Sequence, residues 1–441
     1  MACVGLLVYT SARSIVADAS EGTSAPVRAS ATAEFVASEL SPVQHRRADS
    51  NSKKSRADGK PRKSRADGKP RKSRVDGKPK KQVKAAKRKK QRKADRRRSP
   101  IAKDDGRLSS ERRLTMVERI TGKINPKSVV SSQTGLFFAQ NMMYRHSITV
   151  YDRNFKLVRT IDDSVQLAKH GYGRFPGTVR GAPVEAAVTP SGDAVYVSNY
   201  SMYGPGFGPA GDDVCSPNSG IHDSFVYRID TRRLRITDAI RVGAVPKFLA
   251  VTADASRVLV SNWCSYDLSV INTKKAREVK RLPLGRYPRG IAIDRDSKFA
   301  YVALMGTRDI ARVNLDSYRV RWIRDVGSSP RHLVLGPGGN FLYASLSGEG
   351  AVAKVHVKSG RVVDKVTTGA APRTMVIAED GRSLYVVNYE SNTLSKIQTM
   401  GMRVVQSLPT ASRPIGVTYD TATRQVWVAE YRGSIAIFRD R

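Results

Sequence analysis

Five cationic residues each stand directly after a proline, and those prolines recur along the chain. The cations are Lys127, Lys247, Arg289, Arg331 and Arg373; two further copies of the position hold Val184 and Ile415. If a repeat sets equivalent residues at one radius, the five form a ring near one mouth of a central channel. Such a ring focuses field and attracts anions, and its arginines can grip a carboxylate or phosphate with two hydrogen bonds. The competing arrangement pairs each cation with an acid on a neighbouring repeat, or points it into solvent. His332, next to Arg331, would sit beside the ring, where a lone histidine more often serves structure than chemistry.

Other reactive residue types are sparse. Besides Cys3 the chain has only Cys215 and Cys264. They fall in equivalent loops of successive repeats, so a disulfide is expected, and with it an oxidising compartment. The alternative is two free thiols in a cytoplasmic protein. No Gly-x-Ser-x-Gly elbow, His-Glu-x-x-His pair, Walker loop or paired-cysteine metal motif is present. Asn141, Asn199, Asn262, Asn388 and Glu430 recur at one repeat position and could imitate a carboxylate/amide metal site. They end a second strand, away from the axis, where Asn more readily closes a turn with its own backbone. No catalytic residue, metal or cofactor is therefore assigned.

The elements that must position these residues are read from the prolines. Gly-x-x-Pro occurs as Gly243 to Pro246, Gly285 to Pro288, Gly327 to Pro330 and Gly369 to Pro372, with a degenerate copy, Ala411 to Pro414. Every step is 42 residues, the length of one repeated supersecondary unit. Within a unit, four short Val/Ile/Tyr-rich runs alternate with Gly/Asp/Asn turns. Examples are Gly290-Ile-Ala-Ile, Tyr301-Val-Ala, Leu268-Ser-Val-Ile and Arg361-Val-Val-Asp-Lys-Val. These are antiparallel strands, and four of them make a propeller blade. Pro183 lies 63 residues before Pro246 and Pro126 lies 57 before Pro183, one period plus insertions of 21 and 15. The fold class is all-β: a seven-bladed β-propeller. Its last blade has residues for only three strands, and Leu114 to Thr121 would add the fourth and remove the open edges.

Tyr196-Val-Ser-Asn, Leu259-Val-Ser-Asn and Tyr385-Val-Val-Asn, each starting 13 residues after its proline, resemble the YVTN-repeat propellers. The resemblance spans about residues 114–441. Tyr301-Val-Ala-Leu and Tyr343-Ala-Ser-Leu lose the Asn. The resemblance implies a YncE-like exported propeller, with lactonase-like and haem d1-type propellers as neighbours. A haem would need an axial ligand, and the inner strands offer only His332.

Ahead of the ring, residues 1–19 read as a truncated or misassigned export signal: Met1 to Tyr9 is apolar and Ala17-Asp-Ala19 fits small-x-small cleavage. Residues 20–108 read as a disordered tail and 109–441 as the propeller. Between residues 46 and 98 there are 26 Lys/Arg against 5 Asp, of a total net charge of +38. A nine-residue unit runs from Ser55 to Lys63, repeats from Ser64 and varies from Ser73. Gly, Pro and like charges forbid a core there. Such a polycation binds polyanions by counterion release, without reading sequence. Nucleic acid, anionic lipid and cell-wall polymer are the candidate partners. The stretch has no Tyr, Phe or Trp, so base stacking is not available to it.

Both insertions fall on the face of the inter-blade linkers. One surrounds His170-Gly-Tyr-Gly-Arg-Phe-Pro-Gly and the other runs from Ser201 to Cys215. A partial lid over the channel mouth is the expectation. The function expected is a non-enzymatic binding scaffold of the cell envelope or extracellular space, and a monomer. Its tail would hold polyanions and its cationic face an anionic ligand or protein partner. A lactonase-like hydrolase and a nucleic-acid-binding propeller are the alternatives, with the cytoplasm as alternative location.

Overall fold

The computed structural model describes residues 101–142 and 145–441. The apolar N-terminus and the basic repeats lie outside them. Seven four-stranded sheets follow one another around an axis. Blade 1 holds Ser128–Ser131, Leu136–Asn141, Ser147–Asp152 and Leu157–Asp162, from axis to rim. The inner strands of blades 2 to 7 open at Pro183, Pro246, Pro288, Pro330, Pro372 and Pro414. In blade 7 the outermost strand is Leu114–Ile120, paired antiparallel with Ser434–Asp440, Leu114 opposite Asp440 and Ile120 opposite Ile435. Among the described residues the first strand is thus hydrogen-bonded to the last.

Burial explains the composition of each strand. A second strand lies between neighbouring sheets on both faces and is mostly apolar; Ser383–Asn388 is buried at every residue. The outer strand Arg361–Thr367 is largely exposed and carries Arg361, Asp364 and Lys365. Packing between blades supplies the core: Phe137 of blade 1 stacks on Trp427 of blade 7 with ring centroids 3.9 Å apart.

The recurrent proline marks a specific turn. The residue before it is left-handed in five blades: Val245, Tyr287, Ser329, Ala371 and Arg413 have φ between 52° and 60°. Its carbonyl accepts the N–H of the residue that follows the second strand, as in Trp263 to Val245 at 2.9 Å and Tyr389 to Ala371 at 3.1 Å. That bond clips each linker to its own blade and fixes where the next inner strand begins. A sharp turn and a proline that needs no donor partner fit this place. Inner strands then crowd at the axis: a Cβ on Gly290 would come within 2.6 Å of the His332 Cα.

The motif residues staple the ring. Ser198, Ser261 and Ser345 donate to the carbonyls of Lys247, Arg289 and Arg373 in the next blade, at 3.2, 2.7 and 2.8 Å. The Asn that follows works within its own blade. Asn262 donates to Ser269 at 2.8 Å, and Asn388 to Thr393 and Ser395 at 3.0 and 2.9 Å. Asn141 donates to Thr149 at 3.1 Å and accepts the linker N–H of Asn125 at 3.0 Å. This corrects the expectation that these residues close turns with their own backbone: they tie the second strand to the third strand and the linker.

Candidate functional site

The five ring cations occupy one position on successive inner strands, and all are buried. Lys247 is 1 % exposed and Arg289 and Arg331 are 5 % exposed. Burying a charge requires compensation. Part of it comes from the residue just past each second strand. Lys127 Nζ lies 5.0 Å from the Tyr431 ring centre, and Lys247 Nζ 4.4 Å from Tyr200 and 5.0 Å from Trp263. The Arg373 guanidinium lies 3.4 Å over Tyr389, and Arg331 Nη1 donates to Met305 Sδ at 3.3 Å. Cation–π contact is strongest where water is excluded. Sequence reasoning missed this capping layer of Tyr200, Trp263, Met305, Tyr389 and Tyr431. Superimposing the repeats one residue beyond Asn would have exposed it.

A second missed residue stands one step along the inner strand. Glu185 is 5 % exposed, and it is the one carboxylate near the cationic end of any inner strand. Burial pushes its carboxyl up to about 7, opposed by Arg289, Lys127 and Arg331 and by a hydrogen bond from Ser128. Desolvation outweighs three nearby cations here. His332 shares this layer. Burial first, then Arg289 and Arg331, push its pKa down to about 3. The neutral ring accepts the Met375 N–H on Nδ1 at 3.4 Å and stands edge-on to Phe248, centroids 4.9 Å apart.

An axial cavity of about 530 Å³ starts at this layer and runs to Gln133 and Pro190 in the turns at the other end. Its walls include Val130, Ala187, Ile291, Val334 and Val376, and Glu185, His332 and Thr374 stand at its polar end. None of the five ring cations lines it. They lie one residue nearer the insertion-bearing face, behind Glu185 and His332.

The insertions do not form the lid expected of them. Tyr172, Phe175 and Phe207 pack on Phe225, in the third strand of blade 2, away from the axis. Only the end of the second insertion reaches inward. Asp213 Oδ1 takes the Lys247 ammonium at 2.7 Å and the Tyr200 hydroxyl at 3.0 Å. A disulfide joins Cys215 to Cys264, their α-carbons 5.3 Å apart. Beside it Trp263 Nε1 donates to the Asp213 carbonyl at 2.9 Å and the Tyr266 hydroxyl to the Cys215 carbonyl at 2.7 Å.

The Asn positions and Glu430 are engaged elsewhere. Glu430 bonds Arg119 and Ser434 and accepts the Ala411 N–H at 2.7 Å. These contacts tie the first strand, the last blade and the preceding linker together.

Comparison with known proteins agrees with this geometry. A family model described as YNCE-like beta-propeller matches residues 273–434. Among solved structures, a chain of Kuenenia stuttgartiensis hydrazine synthase superimposes with a TM-score of 0.58 at 18% identity, covering 73% of this chain and 97% of that one. At that identity the likeness is one of fold. No curated protein matches the sequence.

Proposed function

We propose that this propeller, which a YNCE-like family model matches over residues 273–434, is a non-enzymatic binding protein whose axial cavity takes a small anion with an apolar body. The observation that carries this is the cavity's construction. Apolar walls lead to a polar layer backed by five cations, with Glu185 and Asp213 the acids set among them. An anion entering from the Gln133 end meets cations that offset part of its lost hydration, as they do for Glu185, and burial of its apolar part against the walls supplies the rest. The cations need not touch the ligand to attract it.

Residues 46–98 would fix the protein to polyanions of the cell envelope or extracellular space. The Cys215–Cys264 disulfide supports that location, since such bonds persist in oxidising compartments.

The test is titration calorimetry with octanoate and octanol. Octanoate should bind, octanol at least about tenfold more weakly, and Arg331→Gln should reduce octanoate affinity about tenfold. Equal binding of the two probes, or an unchanged Arg331→Gln, overturns the reading.

A further inference from the structure

A second cavity, of about 410 Å³, lies between the two insertions and the outer strand Arg235–Ala244 of blade 2. Arg174, Phe175, Gly206 and Phe207 in its lining come from the insertions, and Asp223 and Arg241 from strands of blade 2. Phe175 and Phe207, one from each insertion, are parallel, with centroids 4.5 Å apart and planes 4° from coplanar. Gly206 makes that stacking accessible. It sits at φ +88°, and a Cβ there would come 2.9 Å from the Phe175 ring. A side chain at this position would push the two loops apart.

The polar groups around the rings are Arg174, Arg241, His222 and Asp223. Arg174 is exposed and its guanidinium lies 4.7 Å over Phe175; among the described residues no carboxylate pairs with it. Arg241 Nη2 reaches Asp223 at 3.0 Å. Asp223 is also held by Arg281 at 3.1 Å, and Arg281 by Glu278 at 3.0 Å. Three guanidiniums therefore face two carboxylates, which leaves a surplus of one positive charge. His222 accepts the Gly208 N–H on Nδ1 at 3.2 Å, so its neutral ring carries the proton on the other nitrogen and can donate.

Both insertions are held before any ligand arrives. Arg180 and Tyr203 exchange two backbone hydrogen bonds of 2.8 Å, one residue from each insertion. The Tyr172 hydroxyl accepts the Arg241 N–H at 3.1 Å, and the disulfide anchors the far end of the second loop. A preformed cleft loses little order on binding.

We propose that this cleft binds an anion carried on a flat apolar group, of the aryl phosphate class. The ring lies against the Phe175–Phe207 pair, and the phosphate meets Arg174 and Arg241, which favour forked recognition of such oxyanions. The site is separate from the axial cavity, and either can exist without the other.

The test uses phenyl phosphate, phenol and inorganic phosphate as probes in titration calorimetry on the full chain. Phenyl phosphate should bind saturably, and phenol and inorganic phosphate each at least about tenfold more weakly. Arg174→Gln, on an exposed side chain, should weaken phenyl phosphate about tenfold at unchanged melting temperature; Phe207→Leu should weaken it about tenfold in protein that is still folded at the assay temperature, and the axial variant Arg331→Gln should leave it unchanged. No saturable phenyl phosphate binding overturns the proposal. So does binding that Arg174→Gln and Phe207→Leu leave intact, or that inorganic phosphate matches.

Discussion

Replacing Glu185 by glutamine should stabilise the protein at alkaline pH. The folded protein raises this carboxyl from 4.5 to about 7, chiefly by burial. At about 1.4 kcal/mol per tenfold change in proton affinity, the difference is about 3 kcal/mol. Between pH 4.5 and 7 the native state binds more protons than the unfolded chain, so stability falls as pH rises. Above that window the native state holds a buried carboxylate whose lost hydration the surrounding cations do not restore; glutamine holds none. His332 has the opposite slope. Its folded pKa of about 3 lies below 6.5, so its contribution is present above pH 6.5 and is lost as pH falls toward 3. The quantity to read is therefore the difference between wild type and Glu185→Gln, from urea unfolding at pH 4.5 and pH 8. It should be near zero at the lower pH and reach about 2–3 kcal/mol in favour of the variant at the higher. A variant less stable than wild type at pH 8, or a difference independent of pH, would refute the reasoning. It would mean that Glu185 is an ionised partner which Lys127, Arg289 and Arg331 cannot do without.

Three further predictions concern the scaffold and the tail. Lys396 and Asp440 are fully buried and joined at 2.5 Å, and Tyr385 donates to the same carboxylate at 2.6 Å; Lys396→Met should cost about 3–5 kcal/mol in chemical denaturation, because Asp440 is left buried without its cation. The Cys215–Cys264 bond closes a separation of 49 residues, so Cys264→Ser should lower stability by about 2–4 kcal/mol; a reductant should do the same to wild type and nothing to the variant in a thermal scan. Deleting residues 46–98, which carry 26 Lys/Arg, should remove most of the salt dependence of binding to heparin or duplex DNA, seen as the slope of log affinity against log salt; an unchanged slope would assign polyanion binding to the propeller.

Much of the ring was legible in the chain because its repeat is local. Each blade restates the same turn chemistry and strand pattern within 42 residues, so proline spacing alone fixes blade number, strand order and the equivalence of Lys127, Lys247, Arg289, Arg331 and Arg373. Equal position along a strand says nothing of which way a side chain bends once neighbouring blades close on it. Tyr200, Tyr389 and Tyr431 draw the cations away from the cavity and bury them, a choice made between blades. No other blade has an acid at the position of Glu185, and only the closed ring sets three cations from other blades around it. The insertions break the repeat, so no symmetry placed them. Their course over Phe225 rather than the axis was settled by packing against the outer half of blade 2, because apolar rings go where the largest dry surface is offered.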